Sequence, residues 1–125
     1  MDLLTLASRH RSWLAVAQTT VAENIANATT PVFKAREVEP FEKYVGSAET
    51  AVPMQSSPAG QIKADGEVPA VKVEPSDDGR SVTHSGNAVV VEDQLMKAGD
   101  IKRDYSLNVS VTQAFRRMLL MGLKG

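Results

Sequence analysis

The chain has 125 residues, room for one domain and too few for two with separate cores; 42% of them are hydrophobic but only 5% aromatic, thin material for a globular interior. Lys plus Arg number 14 against 15 Asp plus Glu, a net charge of -1, so no overall basic field exists to hold nucleic acid or acidic lipid. With no cysteine, disulfides, thiolate metal sites and thiol nucleophiles are excluded together.

No apolar run approaches the ~20 residues of a bilayer span. The N-terminus carries Asp2 where a secretory signal has its basic region, and Arg9 and Arg11 break any apolar stretch, so no cleaved signal is expected. All six prolines fall between 31 and 86, where each would cost a helix interior about 3 kcal/mol. The chain therefore divides into a head (1–30), a broken middle (31–86) and a tail (87–125), expected to act as one structural unit. Charge divides the chain similarly: residues 37–86 are acid-rich, while 1–36 and 87–125 are mildly basic.

In the head, Leu3, Ala7, Leu14, Ala17, Val21, Asn24 and Ala28 recur at spacings of 3, 4 or 7. The pattern predicts an amphipathic helix over about 3–28 with Asp2 as N-cap, stopped by Thr29-Thr30-Pro31, since a proline pushes the residue before it out of the helical region.

The middle gives no helical period. Val68, Val71 and Val73 alternate with polar neighbours, Ser76-Asp77-Asp78-Gly79 is turn-like and Val82 continues the alternation, which predicts at most a weak β-hairpin around 68–84. From Gly46 to Gly66 there is little to bury, and a loop is expected.

In the tail, Ala98, Ile101, Tyr105, Asn108, Thr112, Phe115 and Leu119 alternate 3 and 4 apart, predicting a second long helix over about 92–122. Glu92 and Asp93 suit the positive end of its dipole; Arg116, Arg117 and Lys124 suit the negative end. The fold class expected is mainly α: two long terminal helices as an antiparallel, coiled-coil-like pair, with a loop or small hairpin between them. Such a pair is near break-even as a monomer, because ordering each residue costs about 1–2 kcal/mol. Flanking apolar residues such as Leu6, Trp13, Met96 and Met121 are then expected to be covered by other copies or other proteins.

Chemistry is not the expectation. His10 and His84, the only histidines, have no acidic cluster at ligand spacing, Asp77-Asp78 beside Gly79 reads as a solvated turn, and no nucleophile-elbow, phosphate-loop or dinucleotide pattern occurs. No catalytic, cofactor-binding or metal site is expected, and neither nucleic acid nor a small-molecule substrate as partner. The informative string is Glu23-Asn24-Ile25-Ala26-Asn27-Ala28-Thr29-Thr30-Pro31-Val32-Phe33-Lys34. Asn24 and Asn27 sit on the buried side of the stripe or its edge and demand hydrogen-bond partners there. Asn at a packed seam either assists a helix end or fixes register and partner.

This string resembles the E-N-I-A-N-x-x-T-P-G-Y-K signature of the flagellar rod, hook and axial protein family. Glu23, Asn24, Ile25, Ala26, Asn27, Thr30, Pro31 and Lys34 match outright, and Phe33 is the aromatic equivalent. The opening Leu4-x-x-Ala7-Ser8-Arg9 and the tail's Gly86-Asn87-x-Val89, Glu92-x-Gln94-Leu95, Tyr105 and Phe115-Arg116-x-Met118-Leu119 are similar to the rod proteins of that family. Val32 departs from the pattern, standing where the family usually has Gly; a turn with positive φ is not expected at a β-branched residue.

The resemblance implies a structural subunit of the proximal rod of the flagellar basal body, lying in the periplasmic space. It would be exported by the flagellar type III apparatus without a cleaved signal and polymerise through its terminal helices. Its implied partners are other copies of itself, other rod proteins, and export-gate and membrane-ring components. The implied assembly residues are the motif positions above together with Tyr105, Phe115 and Leu119, and Phe41-x-x-x-Val45 has the form of an export-gate recognition element. The alternative reading from the stripes alone is a non-flagellar helical adaptor that docks one partner; a membrane-surface helix is more remote.

Overall fold

The structure, a computed structural model, describes residues 2–50, 70–76 and 89–124. Helix α1, Leu3–Ala26, begins where the Asp2 side chain accepts the Thr5 N–H at 2.7 Å, the expected cap. It ends on Asn27, whose backbone N–H returns to the Glu23 carbonyl at 3.0 Å. Helix α3, Val91–Lys124, carries Glu92 and Asp93 in its first turn and Lys124 in its last.

The two helices are antiparallel. The end of α1 meets the start of α3 where Asn24 bonds Gln94, and the start of α1 meets the later part of α3 where Asn108 bonds the Ala7 carbonyl. Ala7, Leu14, Ala17 and Val21 fill the seam from α1. The residues of α3 buried opposite them are polar: Gln94, Asn108 and Thr112. Small residues on α1 allow close approach, and the polar ones on α3 must then be satisfied by hydrogen bonds.

The middle contains two features that its sequence pattern did not announce. Strand β1, Arg36–Val38, pairs antiparallel with β2, Val73–Pro75, in the register Arg36↔Pro75, Glu37↔Glu74, Val38↔Val73. The expected hairpin over 68–84 lies mostly outside the described residues; its described strand pairs instead with the segment just after α1. Between the two strands, Phe41–Thr50 forms helix α2, which corrects the expectation of no helix in the middle and of a loop from Gly46. Pro40 does not interrupt it, because it precedes the first turn, where no N–H is required, and its carbonyl accepts the Tyr44 N–H at 3.1 Å. The remaining loop expectation, 51–66, lies outside the described residues.

Helix α2 brings its apolar side onto α1. Tyr44 is buried, and Phe41 lies 4.6 Å from the His10 ring and 5.9 Å from Trp13 between ring centroids. The Trp13 indole N–H donates to the Glu39 carbonyl at 2.8 Å. Trp13 is therefore covered by its own chain's middle segment and not left for a neighbour, a second correction: the turn at residues 27–34 folds the acidic segment back along α1.

Candidate functional site

Asn24 is 1% exposed and its amide is fully engaged inside the chain. Its Oδ1 accepts the Arg36 N–H at 2.9 Å, and its Nδ2 donates to the Arg36 carbonyl at 2.8 Å and to Gln94 Oε1 at 3.0 Å. One side chain thus ties together the end of α1, the outer edge of β1 and the start of α3. An amide suits the task because it presents a donor and an acceptor in one plane, as a neighbouring strand's peptide would. Glu23 lies 4.0 Å from the Arg36 guanidinium, both side chains about half exposed, a contact worth little. The clasp is carried by Asn24 and the Arg36 backbone.

The rest of the motif string builds the helix exit. Asn27 closes α1 from both sides, its Nδ2 donating to the Glu23 carbonyl at 2.9 Å and its Oδ1 accepting from the Thr30 hydroxyl at 3.2 Å. Phe33 donates its N–H to the Thr30 carbonyl at 3.4 Å, with Pro31 and Val32 at the two central positions. Val32 has φ 62, against the expectation for a β-branched residue. Proline first and positive φ second define a type II turn. The physical reason is closure: the chain has to reverse between Asn27 and Arg36 for the clasp to form, and the clasp and the half-buried Phe33 hold a geometry that costs Val32 about 1–2 kcal/mol.

The other expected positions divide by exposure. Ile25 and Phe33 are half-buried, whereas Glu23, Ala26, Thr30, Pro31 and Lys34 face solvent at the exit turn. Phe41 and Val45 are half-buried on α2, with the Phe41 ring in the His10, Trp13 and Tyr44 cluster. Burial raises the Tyr44 phenol above its ordinary pKa, an effect opposed by Arg9 and aided by Glu39. Phe115 is half-buried, and Tyr105 and Leu119 are exposed on α3.

A second polar contact crosses the seam near the start of α1. Asn108 Nδ2 donates to the Ala7 carbonyl at 3.0 Å and lies 3.3 Å from His10 Nδ1, while its Oδ1 is buried with no partner among the described residues. This end of the seam is less completely satisfied than the Asn24 end. Gln94, Arg36 and Asn108 do not belong to the expected site; the signal available for Gln94 and Asn108 was a polar residue at a stripe position, and for Arg36, whose backbone serves, there was none.

Beyond Thr112 and Phe115, α3 runs past the start of α1. Every residue from Arg116 to Lys124 is exposed, including Met118, Leu119, Leu120, Met121 and Leu123, the last at 84%. Further back on the same helix, an open groove of about 220 Å³ lies between α1, β1 and α3, with Trp13, Ala17 and Ile101 on its apolar walls and Glu37, Asp100 and Asp104 on its rim. Among the described residues there is no group of three or more His, Cys, Asp or Glu side chains placed to hold a metal, and no helix long and apolar enough to cross a membrane. What the described residues offer is packing surfaces.

No family model matches the chain. The chain is 40% identical over 127 aligned positions to the flagellar basal body rod protein FlgB of Agrobacterium fabrum (strain C58 / ATCC 33970), a match that covers 99% of this chain and 94% of that relative.

Proposed function

The chain belongs to the family of the flagellar basal body rod protein FlgB, and from that premise we propose that it is a structural subunit of the proximal rod. It leaves the cell interior through the flagellar type III apparatus without a cleaved signal, polymerises through its terminal helices in the periplasmic space, and transmits torque. Its partners are further copies of itself, the other rod proteins, and the export-gate and ring components that the rod meets. It is not an enzyme.

The single observation that carries this reading is a match along almost the whole chain to a rod protein. The geometry supports it independently. Helix α3 outruns α1 and exposes Met118, Leu119, Leu120, Met121 and Leu123 close together, a surface of the kind that marks an interaction site. A match over 99% of this chain and 94% of the relative favours the rod reading over a non-flagellar adaptor.

Within the rod, Ile25, Phe33 and the exit turn from Thr30 to Lys34 contact neighbouring subunits together with Tyr105, Phe115 and Leu119, while Asn24 and Asn27 shape the exit from inside. Phe41 and Val45 serve as the export-gate element, read before α2 packs onto α1. The test is complementation of a deletion strain. The wild-type chain is expected to restore rods and swimming, and Ile25→Asp to be exported but to assemble no rod. Full motility with Ile25→Asp overturns the interface assignment, and failure of the wild-type chain overturns the rod reading itself.

A further inference from the structure

We infer that the contacts Asn24 to Gln94 and Asn108 to His10 form a two-point lock. It fixes the axial alignment of α3 on α1 and keeps the apolar end of α3 from being drawn into the chain's own seam. The lock goes beyond the rod reading and does not depend on it, because it is a property of the isolated chain.

Matched spacing is what makes it a lock. His10 and Asn24 lie two heptads apart on α1, and Gln94 and Asn108 lie two heptads apart on α3. In an antiparallel pair both contacts therefore close in one and the same alignment, about 21 Å from each other along the axis. Asn24 Nδ2 donates to Gln94 Oε1 at 3.0 Å, and Asn108 Nδ2 lies 3.3 Å from His10 Nδ1. Neither amide can follow a slide. Asn24 is held by both backbone groups of Arg36, so its remaining N–H has a fixed direction, and Asn108 is tied to the Ala7 carbonyl at 3.0 Å.

The rest of the seam does not choose this alignment. Its buried residues from α1 are Ala7, Leu14, Ala17 and Val21 with the polar Thr20 and Asn24, and every buried residue of α3 is polar. No large apolar knob from α3 sits in a hole on α1 to resist sliding. The nearest competitor is a slide of one heptad, which nearly preserves the face each helix presents. It sets Leu14 opposite Val111, Ala7 opposite Met118 and Leu6 opposite Leu119, where the observed alignment has Asp104, Val111 and Thr112. Apolar burial alone favours the slide. The same slide sets Ile101 opposite Asn24 and Phe115 opposite His10, and leaves the Asn24 N–H without an acceptor in a closed site. The amides thus hold open an apolar helix end that the chain could otherwise cover for itself, as a polar residue at a packed seam fixes register at a cost in stability.

The absence of cysteine makes the test clean. Two exposed positions, Gln18→Cys and Gln113→Cys, carry nitroxide labels on the full-length chain, diluted with unlabelled chain so that dipolar spectroscopy reads distances within one molecule. In the observed alignment the two sites are offset by about 20 Å along the axis, and the one-heptad slide cuts this to about 9 Å. The wild-type seam is expected to give the long distance alone. Gln94→Leu with Asn108→Leu removes both contacts and adds apolar surface, and is expected to move about half of the molecules or more to the short distance. Gln94→Ile with Ile101→Gln carries the acceptor one heptad along α3, and is expected to make the short distance dominant. An unchanged long distance in both variants overturns the lock. So does loss of helix by circular dichroism in both, which would mean that these amides are needed to fold and select nothing. Either result leaves the rod reading standing, whereas failed complementation by the wild-type chain sinks the rod reading and leaves the lock.

Discussion

The α1–α3 pair is finished at one end and unfinished at the other. Where α1 ends, the chain turns through Pro31 and Val32, lays β1 against Asn24, covers Trp13 with Glu39 and Phe41, and buries Tyr44. Where α1 begins, Asn108 keeps one buried amide oxygen without a partner among the described residues, and beyond it α3 continues with no described element against it and with Met118, Leu120 and Leu123 exposed. Both ends are helical, so helix formation is not what separates them. Among the described residues, the difference is whether a partner surface lies beside the helix pair. A stretch rich in proline and acid, poor as a core by itself, completes one end, and the second end is the one that the proposed rod function assigns to the assembly.

The largest effect on the isolated chain is expected at Asn24. Asn24→Ala removes the partners of the Arg36 N–H and carbonyl and of Gln94 Oε1, and because a buried unsatisfied group costs about 1–3 kcal/mol, the loss should reach about 3 kcal/mol. Urea unfolding followed by the fluorescence of the single tryptophan measures it. Asn108→Ala at the other end should cost less, roughly 1 kcal/mol, because that amide is only half satisfied in the native chain. Equal losses at the two positions would erase the contrast between a closed end and an open one.

Trp13→Phe tests how firmly the middle segment is attached. The variant keeps a ring against Phe41 and His10 but loses the indole N–H to the Glu39 carbonyl, so about 1 kcal/mol should be lost in circular-dichroism melts. Hydrogen exchange should then speed up in α2 and β1 while the Ala7–Asn108 contact stays protected. Uniform loss of protection along α1 would mean that the middle segment and the seam form one cooperative unit.

Much of this contrast was legible in the sequence, and the limits were physical. Spacings of 3 and 4 gave both long helices to within about two residues at each boundary, because an amphipathic stripe is a local property. Asn24 showed itself as an amide in a packed stripe, which demands a partner. The partner was not readable, since Arg36 offers its backbone and Gln94 lies 70 positions away. Helix α2 was missed although Phe41, Tyr44, Val45 and Ala48 follow helical spacing after Pro40; the surrounding prolines hid a stripe only two turns long. Strand β1 has three residues and no period of its own, and it exists because Asn24 and β2 supply both of its edges. Val32 misled for the opposite reason: local preference argued against positive φ, and long-range closure imposed it.

That strain makes Val32 the position where substitution is expected to stabilise, most of all Val32→Gly. Glycine removes about 1–2 kcal/mol of left-handed penalty and returns about 0.5–1 kcal/mol as lost chain entropy, for a net gain of about 0.5–1 kcal/mol. Val32→Asn, which also tolerates positive φ, should gain a smaller part of this. A thermal melt of the purified chain decides it, and a loss with both variants would show that the Val32 side chain is packed in a way its 74% exposure contradicts.

The smallest effect on the isolated chain should come from the part that matters most in the rod. Leu120→Ser with Leu123→Ser changes two side chains that are 60% and 84% exposed, so the purified chain should keep its stability to within about 0.5 kcal/mol. In the deletion strain the same variant should be exported and fail to build rods, because the apolar end then has nothing to place against a neighbour. Asn24→Ala should behave in the reverse order, with the isolated chain weakened first and assembly failing only as a consequence, so that rods recover at lower temperature. If the serine variant also recovers on cooling, or unfolds more easily than wild type, the overhang is part of the chain's own fold and the two ends are not different in kind.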